Sequence, residues 1–332
     1  MKKLLIAAVV SLALTAVGAL GIGNAKAEEF APAIVFDMGG KFDKSFNEAA
    51  YNGAEKFKAD SGVAYREFEV TNPSQREQAM RNMARRGATV IIAMGFAQAA
   101  AVETVAKEFP DIKFTLIDMV VDLPNVQSVI FKEHEGSFLV GMAAAMASQT
   151  GKVGFIGGMD IPLIRKFALG YVEGAKHVNP GIEVFQNMTG TTPAAWNDPT
   201  KGGELARSQF DRGADVVYAA AGGTGVGVYQ AAKDAGKLAI GVDSNQNYIH
   251  PGTMLTSMVK RVDVAVYEAF MSAKKGTWQG GFKVLGLAED GVGFALDKYN
   301  RDLVSTDMET KINAARQDII SGKITVTDYM AQ

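Results

Sequence analysis

No cysteine occurs among the 332 residues, and there are only three histidines and two tryptophans. The missing thiols rule out disulfides, thiolate metal sites and cysteine nucleophiles. They also remove the lipid-modified cysteine by which an exported protein is tethered to a membrane. His134, His177 and His250 stand apart, so no His-Glu-x-x-His zinc site can form. His134, flanked by Lys132, Glu133 and Glu135, reads as a solvated surface histidine. No Gly-x-Ser-x-Gly elbow and no Gly-x-x-x-x-Gly-Lys-Ser/Thr phosphate loop is present. Excess charge of one sign is lacking too, because 34 Lys and Arg face 36 Asp and Glu. The basic residues are scattered, and the Arg81–Arg86 cluster reads as the solvated face of a helix. The concentrated field that nucleic-acid binding requires is therefore missing. Catalytic templates fit poorly, although abundant carboxylates leave paired acid/base chemistry open.

What is present begins with an export signal. Lys2 and Lys3 form a basic start, Leu4 to about Leu20 an apolar core, and Ala25-Lys26-Ala27 a small-residue cleavage site. An uncleaved membrane anchor is the alternative, since the run is long enough, but the Ala-x-Ala ending favours cleavage after residue 27. The remaining 305 residues (332 less 27) suffice for two domains with proper cores. With no second spanning run and no cysteine, the expectation is a soluble, monomeric periplasmic protein that is not lipid-anchored.

Short apolar runs alternate with helical patterns from residue 32 to the 240s. The runs are Ala33–Met38, Val63–Val70, Thr89–Met94, Lys113–Ile117, Asn125–Phe131, Lys152–Ile156, Ile182–Phe185, Asp215–Ala220 and Leu238–Val242. This alternation predicts parallel sheets with helices on both faces. The series is too long for one ordinary sheet and restarts at Lys152, where Lys-Val-Gly-Phe-Ile-Gly-Gly echoes Ala33-Ile-Val-Phe-Asp-Met-Gly-Gly40. Two α/β lobes follow. Lobe 1 is expected to hold residues 28–132 and 254–281, and lobe 2 residues 138–250 and 282–332. In that division the strand Met254–Met258 returns to lobe 1, and a hairpin-like stretch Phe282–Leu296 closes lobe 2. Repeated crossings make a hinge with a cleft between the lobes.

Three aspartates sit where strands stop: Asp37 after Ala-Ile-Val-Phe36, Asp118 after Phe-Thr-Leu-Ile117, and Asp243 after Ala-Ile-Gly-Val242. Open α/β proteins bind small molecules at that carboxyl edge. A carboxylate there can accept hydrogen bonds from two adjacent hydroxyls, as on a ribose; the alternative for Asp243 is a cap on the next turn. Three acids so placed favour hydroxyl or amine recognition and disfavour an anionic ligand unless Lys41 or Lys260 offsets them. Gly222-Gly-Thr-Gly-Val-Gly227 follows a strand and opens a helix. Its spacing is wrong for a dinucleotide fingerprint, because position 228 is Val, so no nucleotide cofactor is expected. Glycines there let backbone approach a ligand at a helix N-terminus. Phe46, Phe96, Phe167 and Trp196 recur near loops facing the cleft. By spacing Phe46 suits core or cleft equally, and Trp196 suits a lid or a pin for its own loop.

Taken together, several segments in fixed order carry a resemblance. They are Asp43-Lys-Ser-Phe-Asn47, Met94-Gly95-Phe96, Glu135-Gly-Ser-Phe-Leu-Val-Gly141, Gly170-Tyr-Val-Glu-Gly174, Ala221-Gly-Gly-Thr-Gly225, Gly241-Val-Asp-Ser244 and Ser257-Met-Val-Lys-Arg-Val-Asp263. The chain resembles the basic membrane protein family, the substrate-binding proteins of ABC importers that include purine-nucleoside receptors. That resemblance implies a type I periplasmic-binding-protein fold, no enzymatic activity, and a partner permease in the inner membrane. It implies that Asn47 and Asp118 bond the base or sugar edge, Phe46 and Phe167 lie near the base plane, and Asp243 takes ribose hydroxyls. Gly222 and Gly223 would set backbone against the ligand, and Lys260 would complete the polar shell. A flat, uncharged guest suits apolar faces with a few polar groups at its edges. Where the family often has an acid after Gly-Val-Asp-Ser, this chain has Asn245. Two other readings use the same fold or export: a sensor presenting its closed form to a membrane signalling partner, and an exported nucleoside hydrolase.

Overall fold

The computed structural model describes residues 30–331. The expected signal, residues 1–27, lies outside the described residues. Strands β1 (Pro32–Phe36), β2 (Arg66–Glu69), β3 (Val90–Ala93), β4 (Lys113–Ile117) and β5 (Val126–Phe131) belong to a first sheet. The late strand β11 (Gly281–Leu285) completes it, in the order β11-β5-β4-β3-β1-β2 with every pair parallel. A second sheet contains β6 (Lys152–Met159), β7 (Glu183–Gly190), β8 (Val216–Ala220), β9 (Leu238–Asp243), β10 (Met254–Lys260) and β12 (Val292–Phe294). Its order is β12-β10-β9-β8-β6-β7, with β12 alone antiparallel. The inner strands β1, β3 and β8 are buried along their whole length. Both faces are covered, which is why Pro-Ala-Ile-Val-Phe and Val-Ile-Ile-Ala read as unbroken apolar runs.

Helices α1 (Phe46–Ser61), α2 (Gln75–Arg85), α3 (Ala99–Glu108) and α8 (Val262–Lys275) clothe the first sheet. Helices α4 (Glu133–Ala147), α5 (Pro162–Val178), α6 (Pro199–Asp211), α7 (Gly225–Asp234) and α9 (Thr306–Ile320) belong with the second. No helix among the described residues is long and apolar enough to cross a membrane. Helix α1 buries Ala49, Ala50, Ala54 and Phe57, and ends where Gly62 takes a left-handed conformation at φ 69°. A methyl group at Gly62 would meet open space, so backbone strain is the whole cost of adding one. Gly62→Ala is expected to lower stability by about 1 kcal/mol in urea denaturation; an unchanged midpoint would contradict that cap.

Two placements differ from the expected division. β10 lies in the second sheet, where Ser257 and Met258 register with Gly241 and Val242 of β9. It is buried over most of its length, and this sheet offers it a partner on each side. The stretch Phe282–Leu296 is not a hairpin. β11 pairs with β5 and β12 with β10, so residues 286–291 cross between lobes. The chain therefore crosses three times, after β5, after β10 and between β11 and β12. The crossings are stitched together, since Lys132 N–H donates to Leu285 O at 3.0 Å and Arg261 N–H to Gly291 O at 2.8 Å. His134 is also not a surface residue. It is 6 % exposed in the first turn of α4, because Gly170 of α5 lies so close to its backbone that any Cβ there would collide with it.

Candidate functional site

Each sheet has its order reversal at one place, between β1 and β3 in the first and between β6 and β8 in the second. Crevices open beyond the carboxyl ends of strands at such switch points. Here the two crevices face each other and enclose a cavity of about 610 Å³, part of it open to the outside. Its wall holds Asp37, Phe46, Asn47, Gly95, Phe96 and Asp118 from the first lobe. Phe167, Trp196, Gly222, Asp243 and Lys260 face them from the second. Of the expected site residues only Gly223 is outside this wall; it backs the carbonyl of Trp196 instead.

Two of the three strand-end acids are held in a costly backbone conformation. Asp118 has φ 71° and Asp243 φ 61°, a region that non-glycine residues seldom occupy and that clusters at functional positions. The left-handed turn directs each carboxylate from its strand end into the cavity. Asp37 is steadied differently. Arg76, from the first turns of α2, places Nη2 at 2.9 Å and Nε at 3.2 Å from its Oδ1. Burial pushes the Asp37 carboxyl above its usual range, and the Arg76 charge opposes that rise. Gly95 (φ 92°) lets Asp37 Oδ2 come close, since a Cβ there would lie 3.0 Å from it.

Polar groups stand ready on the wall. Asn47 donates from Nδ2 to the carbonyls of Asp37 and Gly40 at 3.2 and 3.3 Å, so its Oδ1 is set by the backbone. Asn47 Oδ1 and Asp118 Oδ1 are buried without a hydrogen-bond partner among the described residues, the condition that a bound donor would relieve. Asp118 Oδ2 accepts from Lys260 Nζ at 2.6 Å. Lys260 is 2 % exposed and its ammonium lies 5.3, 4.9 and 5.7 Å from the ring centroids of Phe46, Phe131 and Phe167. Burial works against its charge, yet Asp118, Glu133 and Asp243 raise its pKa above the ordinary lysine value. For Asp118 burial is the larger influence and pushes the carboxyl up to about 6, with Lys260 opposing and Glu133 adding to the rise.

The lobes also touch. Ser45 Oγ donates to Asp243 Oδ2 at 2.5 Å, Ser244 Oγ to Ser45 O at 3.0 Å, and Gln246 Nε2 to Lys44 O at 2.9 Å. One oxygen of Asp243 is thus engaged by the opposite lobe. Burial raises the Asp243 carboxyl above its usual range, against the pull of Lys260 and the Ser45 hydroxyl. Trp196, half-buried, leans from a short 3₁₀ turn (Pro193–Trp196) over Gly158 and against Gly39 of the first lobe. Its turn is pinned by Thr224 Oγ1 and Thr189 Oγ1, which donate to Ala195 O at 2.8 and 3.0 Å. Trp196 therefore covers the cavity and anchors its loop at once. Phe46 settles toward the cleft: it is half-buried and lines the cavity from the first residue of α1. Asn245 points away, its Nδ2 donating to Asp297 Oδ2 at 2.6 Å, so its departure from the family pattern does not reach the cavity.

Several contributors were not anticipated. Asp43 caps α1, accepting from the N–H groups of Ser45, Asn47 and Glu48 at 2.8, 3.0 and 3.1 Å. It lines the cavity as well. Burial raises its carboxyl to about 7, against those three donors. Its signal was an acid just before the α1 start. Arg76 and Glu133 carry no local signal, because their partners are distant in the chain. No cluster of residues able to hold a metal ion occurs among the described residues.

Comparison with known proteins agrees with this architecture. A family described as "ABC transporter substrate-binding protein PnrA-like" matches residues 30–329. The ABC transporter nucleoside-binding protein BmpA of Lactococcus lactis is 33 % identical, with 89 % of this chain and 88 % of that protein aligned. A solute-binding protein of an ABC transporter system from Aeropyrum pernix superposes with a TM-score of 0.81 at 30 % identity, covering 89 % of this chain and 92 % of that one. An uncharacterized lipoprotein of Pyrococcus abyssi is 37 % identical over 83 % of this chain and 72 % of its own length, and relatives in Pyrococcus horikoshii and Pyrococcus furiosus carry the same designation. Those designations overturn the expectation of an unanchored, freely diffusing periplasmic protein, and the missing cysteine does not sustain it. The two facing switch points, the acids where strands stop and the near full-length match lead to one assignment: the chain belongs to the PnrA-like family of ABC transporter substrate-binding proteins.

Proposed function

We propose that the protein captures a purine nucleoside, or a related nucleobase, and delivers it to an ABC permease for import. The observation that carries this reading is the pairing of apolar ring faces with unpartnered polar atoms in one cavity. Phe46, Phe167 and Trp196 offer surfaces for a flat guest, while Asn47 Oδ1 and Asp118 Oδ1 await donors at its edge. Asp243, with one oxygen engaged by Ser45, keeps the other for a ribose hydroxyl. A neutral ligand fits the charges, because Lys260 and Arg76 are already paired with Asp118 and Asp37. The nucleoside-binding relative from Lactococcus lactis supports the same class.

Capture works by closure. Contacts made only with the lobes together, such as Ser45 to Asp243, favour the closed form, and a ligand shifts the equilibrium by its differential affinity for that form. Native mass spectrometry of freshly purified protein, with calorimetric titration of inosine and adenosine, tests the assignment. A retained or titrated purine compound is expected; release of free base from either nucleoside would establish a hydrolase instead. Ser45→Ala should weaken binding by about 1 kcal/mol, the value of one such hydrogen bond, chiefly through faster dissociation. Equal dissociation rates would remove Ser45 from the closing contacts.

A further inference from the structure

Lys260 does not meet Asp118 alone. Its Nζ also lies 3.0 Å from Glu133 Oε1, and the other oxygen, Oε2, lies 3.0 Å from Lys166 Nζ. Lys166 in turn donates to the carbonyl of Phe131 at 2.7 Å and lies 3.6 Å from Asp328 near the C-terminus. Asp118, Lys260, Glu133 and Lys166 form a row of alternating charges, each less than a tenth exposed. The row joins separate parts of the molecule. Asp118 directly follows β4 in the first lobe, Glu133 starts α4 at one crossing, Lys260 ends β10 at another, and Lys166 belongs to α5 in the second lobe. Glu133 and Lys166 face a second hollow, beside Met119, Ile130 and Asp328, and not the ligand cavity.

We propose that Glu133 and Lys166 are positioning residues for ligand capture: they fix the Lys260 ammonium, and through it the face that Asp118 presents to the ligand. The inference rests on the assignment of the main cavity to a purine compound and adds the part of the hinge that sets its polar edge. A lysine with four rotatable methylenes has no preferred direction of its own. The aromatic rings around Lys260 attract its charge without orienting it, whereas two carboxylates on different segments define one position. Glu133 can bind Lys260 without a net buried charge only because Lys166 balances its second oxygen. Against burial, which raises it, the two lysines hold the Glu133 carboxyl below the usual range. Glu133 therefore stays charged when Asp118 begins to protonate. The charged groups facing Asp118 are Lys260 from β10, Glu133 from α4 and Asp243 from β9.

The test is calorimetric titration of inosine and adenosine, from pH 5 to 8, into the wild-type protein, Glu133→Gln, Lys166→Met and the double variant. Each single change is expected to weaken binding roughly fivefold. Their acid midpoints should move in opposite directions. Glu133→Gln removes a like charge beside Asp118 and lowers the pH at which binding is lost. Lys166→Met leaves the Glu133 charge unbalanced, draws Lys260 from Asp118 and raises it. The double variant should recover the wild-type midpoint but bind more weakly, since Lys260 has lost its second anchor. If the single variants do not fold, the double variant decides, because it leaves neither Glu133 nor Lys166 as an unpaired charge. Wild-type affinity in the double variant, or single variants that bind with the wild-type midpoint, overturns the proposal even where melting temperatures fall. Failure of the wild-type protein to bind either nucleoside overturns the functional assignment instead, and this inference with it.

Discussion

Lys260→Met is expected to lower the free energy of unfolding by about 3–5 kcal/mol, the usual cost of leaving a buried charge without its partner. Two carboxylates lose their common cation, since Asp118 Oδ2 and Glu133 Oε1 lie 2.6 and 3.0 Å from the same nitrogen. Glu133 retains Lys166, so Asp118 is the group left exposed to the full cost. Methionine keeps the length of the stem and its contacts with the surrounding rings, so lost packing adds little. The deficit has a pH signature. With the ammonium gone, the variant escapes its unpaired charge by protonating Asp118, so its deficit against wild type should shrink as pH falls from 8 to 5. Urea denaturation at both pH values measures this. A loss below about 1 kcal/mol, within the range of an exposed pair, would show that Lys260 does not neutralise the acids of the hinge.

The sequence carried the local parts of this arrangement and none of its long-range pairing. β4 was legible to the residue, because Lys-Phe-Thr-Leu-Ile is a compact apolar run bounded by polar residues. Asp37, Asp118 and Asp243 were legible for the same reason, as each closes such a run, and the fold then brings all three to one cavity. Sheet membership was not. β10 is a largely buried segment and β11 a mostly exposed one, both of ordinary composition, and which sheet accepts them depends on an open edge, a property of the assembled lobe and not of the segment. Pairing across the hinge was equally hidden, since Lys260 and Asp118 are 142 residues apart and no periodicity links them. Phe46 shows where spacing stops being informative. The first residue of an amphipathic helix that abuts a cleft has the same spacing whether its ring turns inward or out, and the placement follows from Asp43 capping the helix and Lys260 standing above the ring.

Lowering the pH from 7.5 to 5 is expected to weaken nucleoside binding by about tenfold or more while leaving the ligand-free fold at least as stable. The two trends have opposite signs because the same acids enter each differently. Asp118 has its carboxyl pushed to about 6 by burial, and burial raises Asp243 as well. An acid whose folded pKa is above its unfolded value binds protons more readily in the folded state. Its stabilising contribution is complete below the unfolded value, near 4, and is lost as pH rises through the folded value. Asp43, raised to about 7, acts in the same direction, so the ligand-free protein gains stability on mild acidification. Ligand capture needs the ionised forms, because a protonated Asp118 no longer offers Lys260 and a bound donor two accepting oxygens. One required deprotonation with a pKa near 6 loses about a factor of ten by pH 5. Titration calorimetry with inosine at the two pH values, beside thermal melts of the free protein, separates the effects. Affinity that falls in step with a falling melting temperature would mean that acid unfolds the receptor, whereas lost affinity on an unweakened fold places the proton on the carboxylates of the cavity.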